Sequence, residues 1–415
     1  MEPRNLKRVL IHSIVFSPDG VSTAYLYNDI ALGLVENEFE VVVLTTTPHY
    51  NLIESSLLKQ PLNKKVFGLY YESNFNGIRV IHVPLKKYKS TVKRLASFVY
   101  WHFLSLVIGI SIKNIDFILS PSPPLSIGFI SLLIAKCKGA KSIYNVQEIY
   151  PDLLINQENL KSPFIINLLK KFEKFIYNNS DAVTTIDEVF YSTISSRFIN
   201  SHKLHLIPNF VDTELYKPLK IQQKLPAIFG EENGKTIILY AGNIGYFQDW
   251  DPIFYASKEL EKENIEFWII GEGVKKCELE KEVLNQKIAN IRIFPYQNRE
   301  YIPILNNYAD IHFITINPKM EQEGFPSKVY TIMACAKPLV VVTGEKTPLY
   351  IFLKEKNCAE LVINNRNINF TESIRRLAYN KELREKLGNN GYEEIIKNYS
   401  KKVVVSKYIK LLNSL

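Results

Sequence analysis

The chain has 415 residues, 46% of them hydrophobic and 22% charged, with a formal net charge of +9. That length exceeds one ordinary core and favours two domains of about 200 residues each, while the apolar content excludes a disordered chain. The basic excess is spread widely and comes with no aromatic-plus-basic RNA motif or zinc-finger spacing, which points to an anionic surface or substrate and not to nucleic acid.

The four cysteines, Cys137, Cys277, Cys335 and Cys358, lie far apart and form no CxxC pair. Neither a disulfide framework nor a metal site is expected, and a reducing cytoplasm suits them. The N-terminal region runs directly into a strand-like segment, Arg8–Ile14, without the charged, apolar and cleavage regions of a secretion signal.

Short β-branched runs at Val9–Ile14, Val41–Thr45, Val80–Val83, Phe117–Leu119, Ser142–Val146, Ala182–Ile186 and Leu204–Ile207 read as strands. Helix-length segments such as Thr23–Glu36 and Pro163–Asn178 separate them, the alternation of βαβ units and a parallel sheet buried on both faces. The rhythm breaks into turn chemistry at Ile207–Leu219, and polar residues up to Thr236 read as a linker. It restarts with strands at Ile237–Ala241, Phe267–Ile270, Ile291–Phe294, Ile311–Ile316, Leu339–Val342 and Glu360–Ile363, and ends in the long stretch Lys381–Leu412. The expected fold is α/β: two doubly wound, Rossmann-like domains facing each other across a cleft, with ligands at the carboxyl ends of the strands.

Leu95–Ile112 is nearly long enough to span a bilayer, but His102 and three serines interrupt it, and strands of one sheet flank it. Lys86, Lys87, Lys89, Lys93 and Arg94 precede it. Three readings stay open for this segment: a core helix, a helix that docks on anionic lipid and, least favoured because of the flanking strands, a transmembrane span.

The richest constellation is Glu323-Gly-Phe-Pro-Ser-Lys328, a loop that enters a short helix and then a buried strand. It brings Glu323, Ser327 and Lys328 to a helix N-terminus, where unpaired N–H groups and the helix dipole favour an anion. Phosphate beside hydroxyls that a carboxylate can hold is the chemistry of a nucleotide sugar. Gly242-Asn-Ile-Gly245 follows a strand and leads through Gln248 into a helix, a turn in which backbone can approach phosphate, with Asn243 adding a polar side chain. Gly271-Glu-Gly273 reads as a plain strand exit. In the first half, Gly20 permits close approach in a capped loop before a helix. Gln147, Glu148 and Asp152 stand on a proline-stiffened loop. His12, His82, His205 and His312 fall in strands and read as satisfied core residues.

Together these segments resemble the retaining, nucleotide-sugar-dependent GT-B glycosyltransferases of family 4. The likeness is strongest to the bacterial capsule, O-antigen and colanic-acid subgroup, which includes L-fucosamine transferases. It is carried in order by the Gly20 loop, SPPLSIG at Ser122–Gly128, NVQEIYPD at Asn145–Asp152, IPNFVDTELYKPL at the junction, YAGNIG at Tyr240–Gly245, and GFPSKVYTIMACAKPLVV at Gly324–Val341. The resemblance implies an acceptor domain over residues 1–210, a donor domain over 211–395 and a C-terminal helix, 396–415, that packs back on the first domain. It places Glu323 against the donor sugar, Ser327 and Lys328 against the diphosphate, and Asn243 and Gly245 opposite, with Gln248 and Gly20 also on the donor side. Lys328 would stabilise the leaving diphosphate without a metal or other cofactor. Two positions depart from the family pattern: Thr331 replaces a glutamate that usually holds ribose, and Gln147 replaces a histidine of the first domain. Gln147 and Glu148 are therefore expected to position the acceptor.

The resulting expectation is a transferase moving a sugar, UDP-linked by analogy, to a polyprenyl-diphosphate-linked saccharide at the inner face of the cell membrane. Two rivals remain open. A nucleotide-sugar epimerase of the same architecture would turn over without acceptor, and a non-catalytic sugar-nucleotide scaffold would bind without turnover.

Overall fold

Val9, Leu10 and Ile11 are fully buried, as a strand covered on both faces requires. They form β1 (Arg8–His12), the middle of the first sheet in a computed structural model that describes residues 6–415 apart from 51, 53, 87, 157–159, 221–226, 230–233 and 322–324. The chain divides into two units, Met1–Asn209 with Lys401–Leu415, and Phe210–Ser400. Part of the expected linker, residues 221–226 and 230–233, lies outside the described residues.

In the first unit β1 is followed by α1 (Ser22–Glu36), β2 (Glu40–Thr46), α2 (Glu54–Lys59), β3 (Asn63–Lys65), β4 (Tyr70–Phe75), β5 (Ile78–Val83) and α3 (Thr91–Ser111). Next come β6 (Phe117–Pro121), α4 (Leu125–Lys138), β7 (Lys141–Val146), α5 (Asp152–Asn156), α6 (Pro163–Asn179), β8 (Ala182–Thr185), α7 (Glu188–Ser195) and β9 (Leu204–Leu206). Among the described residues the sheet has nine strands in the order β3-β4-β5-β2-β1-β6-β7-β8-β9. The strands from β5 to β9 in that order are parallel; β3 and β4 add an antiparallel edge that the apolar pattern did not announce. Their sequences, NKK and YYESNF, are polar because an edge hairpin is only partly covered.

The second unit contains β10 (Thr236–Ala241), α8 (Asp251–Glu259), β11 (Ile265–Ile270), α9 (Lys276–Asn285), β12 (Ile291–Phe294), α10 (Ile302–Tyr308), β13 (Ile311–Thr315), α11 (Lys328–Ala334), β14 (Leu339–Thr343), α12 (Pro348–Lys356), β15 (Ala359–Ile363), α13 (Asn367–Tyr379) and α14 (Lys381–Glu394). Its six described strands are all parallel, in the order β12-β11-β10-β13-β14-β15. The terminal stretch is not one helix. A π-turn at Ile395–Tyr399 follows α14, and α15 (Lys401–Ser414) then belongs to the first unit. There Val405 lies so close to Gly33 of α1 that a Cβ on the glycine would come within 2.8 Å of both its methyl groups.

Three of the four strand histidines, His12, His82 and His312, are core residues. His12 bonds Ser131 Oγ at 2.9 Å and stacks on Trp101, and burial lowers its pKa to about 3. His82 lies between Ser73 Oγ and Thr46 O, with its pKa lowered by burial to about 4, and His312 is likewise held neutral against Asn306 O. His205 is partly buried, which lowers its pKa too.

α3 resolves the choice between core and surface by doing both. Trp101, His102, Leu104, Ser105 and Gly109 are buried, and Gly109 lets Ile134 of α4 approach closely. On the opposite side Val92, Leu95, Val99, Phe103, Val107 and Ile110 are exposed at three- and four-residue spacing. The helix is long and apolar enough to cross a membrane by length and composition, yet it links β5 and β6 of one sheet.

Candidate functional site

In the second unit the two glycine turns at the carboxyl ends of β10 and β11 meet. Gly242 N–H donates to Ile270 O at 2.9 Å, Ile244 N–H to Glu272 O at 2.9 Å, and Lys275 N–H to Ile244 O at 3.0 Å. Gly271 is needed for this approach, since a Cβ there would collide with the carbonyl oxygen of Gly242. Only the backbone of Glu272 takes part in the turn; its carboxylate pairs with Lys276 Nζ at 2.5 Å.

Lys328 opens α11 and reaches back to this turn. Its Nζ lies 3.7 Å from the centroid of the Tyr240 ring. It occupies the space a side chain at position 242 would need, because a Cβ on Gly242 would sit 2.5 Å from that nitrogen. The Tyr240 hydroxyl donates to Asn243 O at 2.6 Å, which ties the ring to the turn. Gly245 N–H is held by Gln248 Oε1 at 3.0 Å, so Gln248 shapes the loop from within. The Lys328 ammonium has no carboxylate partner among the described residues, and burial lowers its pKa to about 7. A cation kept in that condition gains from an arriving anion. Tyr240 is the member of this group that sequence reasoning missed; the aromatic before a Gly-rich turn was its only signal.

Ser327 is exposed beside Lys328, and its side chain caps nothing in the helix. Thr331 Oγ1 donates to Lys328 O at 2.9 Å, so the hydroxyl that replaces the family's glutamate is turned onto its own helix. Behind the loop Phe325 stacks on Tyr330, which stacks on Tyr399, and Phe352 meets all three edge-on. That cluster fixes the start of α11. Glu323 lies outside the described residues, as does Gly324.

In the first unit, Gly20 lies on a loop braced to its neighbour: Gly20 N–H donates to Tyr50 O at 2.9 Å, and Asp19 Oδ1 accepts from His49 N–H and Tyr50 N–H, each at 2.7 Å. Gln147 is engaged on both ends of its amide. Nε2 donates to Asn145 Oδ1 at 2.6 Å and Asn209 Oδ1 at 3.0 Å, and Oε1 accepts from Asn209 Nδ2 at 2.8 Å. Ser122 Oγ accepts from the N–H groups of Gln147 and Glu148, which joins the two proline-stiffened loops. Glu148 lies near the Tyr150 phenol, whose pKa is raised by burial and by that carboxylate. Asp152 pairs with Arg197.

Two domains of Rossmann type built on largely parallel sheets define a GT-B architecture, and comparison with known proteins agrees. Residues 23–209 match the glycosyl transferase 4-like domain, and residues 221–394 match the glycosyl transferases group 1 family. The chain is a glycosyltransferase built from these two domains. It is 25% identical over 358 residues to a protein of Escherichia coli (strain K12) named as the colanic acid biosynthesis glycosyl transferase WcaI, covering 82% of this chain and 84% of that one. Among solved structures it is similar to sucrose-phosphate synthase from Thermosynechococcus elongatus, with a TM-score of 0.72, 14% identity and 98% of both chains covered. HepE of Anabaena, solved in complex with UDP and glucose, matches with a TM-score of 0.70 and 12% identity over 99% of this chain and all of that one.

Proposed function

We propose that the protein is a retaining glycosyltransferase of surface-polysaccharide assembly, moving a sugar from a nucleoside diphosphate, UDP in the first instance, to a polyprenyl-diphosphate-linked saccharide. The observation that carries the donor half is the Lys328 ammonium, packed on Tyr240 against Gly242. As the glycosidic bond breaks, its electron pair goes to the diphosphate, and a low-dielectric cation stabilises that growing charge more than the ground state. Asn243 and Gly245 bound the diphosphate from the turn, Ser327 adds a hydroxyl, and Glu323 holds the donor sugar. The leaving phosphate accepts the acceptor's proton in a same-face displacement, so no enzyme base is needed. Gln147, already locked to Asn145 and Asn209, positions the acceptor loop that presents Glu148. UDP is supported by the ligand of HepE, and polysaccharide assembly by the name of WcaI.

Thermal stabilisation by UDP, GDP and dTDP tests the donor reading. Binding to the native state alone raises stability by about 2.7 kcal/mol at a hundredfold excess over Kd. A shift with one diphosphate, lost in Lys328→Met, is expected; equal shifts in wild type and variant would sink the assignment of Lys328.

The acceptor half rests on the outward faces of α3 and α6, two helices that each pack on α4. Besides the apolar row of α3, α6 exposes Phe164, Ile165, Leu168 and Phe175, with Phe129 of α4 5.5 Å from Phe172 of α6. Lys86, Lys89, Lys93, Arg94, Lys161, Lys170, Lys171 and Lys174 accompany these faces. Apolar side chains with a basic border suit an anionic bilayer, where a lipid-linked acceptor resides. Flotation with anionic vesicles, reversed by salt and weakened in Leu95→Asp/Phe103→Asp, is the expected result; indifference to vesicles removes the membrane from the proposal.

A further inference from the structure

β3 and β4 are joined by Val66-Phe67-Gly68-Leu69, in which Leu69 N–H donates to Val66 O at 3.0 Å. Phe67 has φ 54° and ψ 16°, and Gly68 has φ 95°. These are the central residues of a type I′ turn, which strongly favours Asn-Gly because both positions need positive φ. Here the first position is phenylalanine, and β-branched Val66 before it also has positive φ, 43°. Each such residue costs on the order of 1 kcal/mol or more. The strain is not offset by packing. Phe67 has 102% relative exposure, and Val66 and Leu69 are exposed as well.

The register places this tip. Lys65 pairs with Tyr70, and Tyr71 of antiparallel β4 lies opposite His82 near the carboxyl end of β5. The tip therefore stands at the end of the sheet from which the chain leaves β5, passes through the basic segment and enters α3. Residues 61–100 contain eight Lys or Arg residues and one acidic residue, Glu72. The aliphatic stem of Lys64 crosses Gly68, which brings a cation to the turn itself. A strained turn that presents an aromatic without a groove, among unbalanced positive charge, fits an anionic lipid surface better than a protein partner.

We propose that the Val66-Phe67 tip inserts below the headgroups of an anionic bilayer, as a second anchor set apart in sequence from α3. The inference rests on the membrane-docking reading given above, with the hairpin fixing the unit's orientation where the helix alone leaves rotation free.

The test uses Phe67→Trp and Leu95→Trp in the full chain, each read against the native background of Trp101, Trp250 and Trp268, with vesicles of brominated phosphatidylcholine and phosphatidylglycerol. Quenching of both added indoles is expected. Quenching at position 95 without quenching at 67 overturns the insertion and leaves the docking reading intact. No quenching at either position overturns the docking reading and this inference with it. A second variant, Phe67→Asn, restores the favoured Asn-Gly turn. It is expected to raise the melting temperature while weakening vesicle partitioning by about tenfold. A lower melting temperature with unchanged partitioning would make Phe67 a structural residue and overturn the proposal.

Discussion

Arg197 bridges Glu173 and Asp152, donating Nη1 to Glu173 Oε1 at 2.5 Å and Nη2 to Asp152. Glu173 is buried on α6, and desolvation outweighs the guanidinium, so its pKa rises to about 7. The folded form therefore binds a proton more tightly than the unfolded chain. Stability from this group is full below the unfolded value near 4.5 and is lost as pH rises towards 7, at up to about 1.4 kcal/mol per unit. Glu173→Gln is expected to flatten the melting temperature between about pH 5 and 7.5. An unchanged profile would place the titration elsewhere. Arg197→Leu strands two carboxylates, that of Glu173 in the interior, and should cost about 3–5 kcal/mol, read by denaturant unfolding.

Lys328 has the opposite sign. A lysine with pKa near 7 carries its proton less readily in the folded protein than in the unfolded chain. Its burial penalty thus falls as pH rises from 7 towards 10.5, and stability from this group increases over that window. A bound diphosphate would restore the charge. Calorimetry of UDP in buffers of different ionisation heat should show net proton uptake at about pH 8, absent in Lys328→Met. Uptake that persists in the variant would assign the proton to another group.

Gly242 and Gly271 share a φ of 156°, so an alanine at either carries a similar backbone strain, on the order of 1–3 kcal/mol. What differs is the neighbour. The new methyl group at position 242 meets Lys328 Nζ, the end of a flexible side chain, whereas at 271 it meets the Gly242 carbonyl. Gly242→Ala should therefore keep its fold and lose about tenfold in diphosphate affinity as the ammonium is displaced, about 1.4 kcal/mol. Gly271→Ala adds an overpacking cost of about 1–3 kcal/mol to the strain. Equal behaviour of the two variants in thermal unfolding would contradict the geometry.

Val405→Asp tests the seating of α15. Val404, Val405, Tyr408, Leu411 and Leu412 are buried, and a carboxylate placed among them would lose its hydration to apolar neighbours. Unfolding should be easier by about 3 kcal/mol or more, and protease should find sites on α1 first. Resistance equal to wild type would mean that the helix contributes little to the first unit.

The central parallel strands were legible because they are apolar, mostly β-branched runs buried on both faces, least ambiguously so in Leu339–Thr343. The polar edge strands β3 and β4 were not, since β4 is held by pairing with β5 and β3 by pairing with β4, and not by their own composition. The Gly-rich turn and the Lys328 loop were legible separately. Their meeting through Tyr240 was not, because no local pattern records which ring a distant ammonium will cover. α3 was ambiguous for a related reason: its exposed side, with Val99, Phe103, Val107 and Ile110, is as apolar as a core face, while its buried side includes His102, Ser105 and Gly109, so hydrophobicity does not tell inside from outside.

The return of α15 to α1 also sets an order of events during synthesis. The first unit emerges from the ribosome early, but its last helix follows only after Phe210–Ser400 has been translated. At ordinary elongation rates that is a wait of roughly ten to forty seconds. Until then the groove around Gly33 is open and apolar, so a nascent chain stalled in the second unit would display a surface that chaperones recognise. Emergence of α15 closes it.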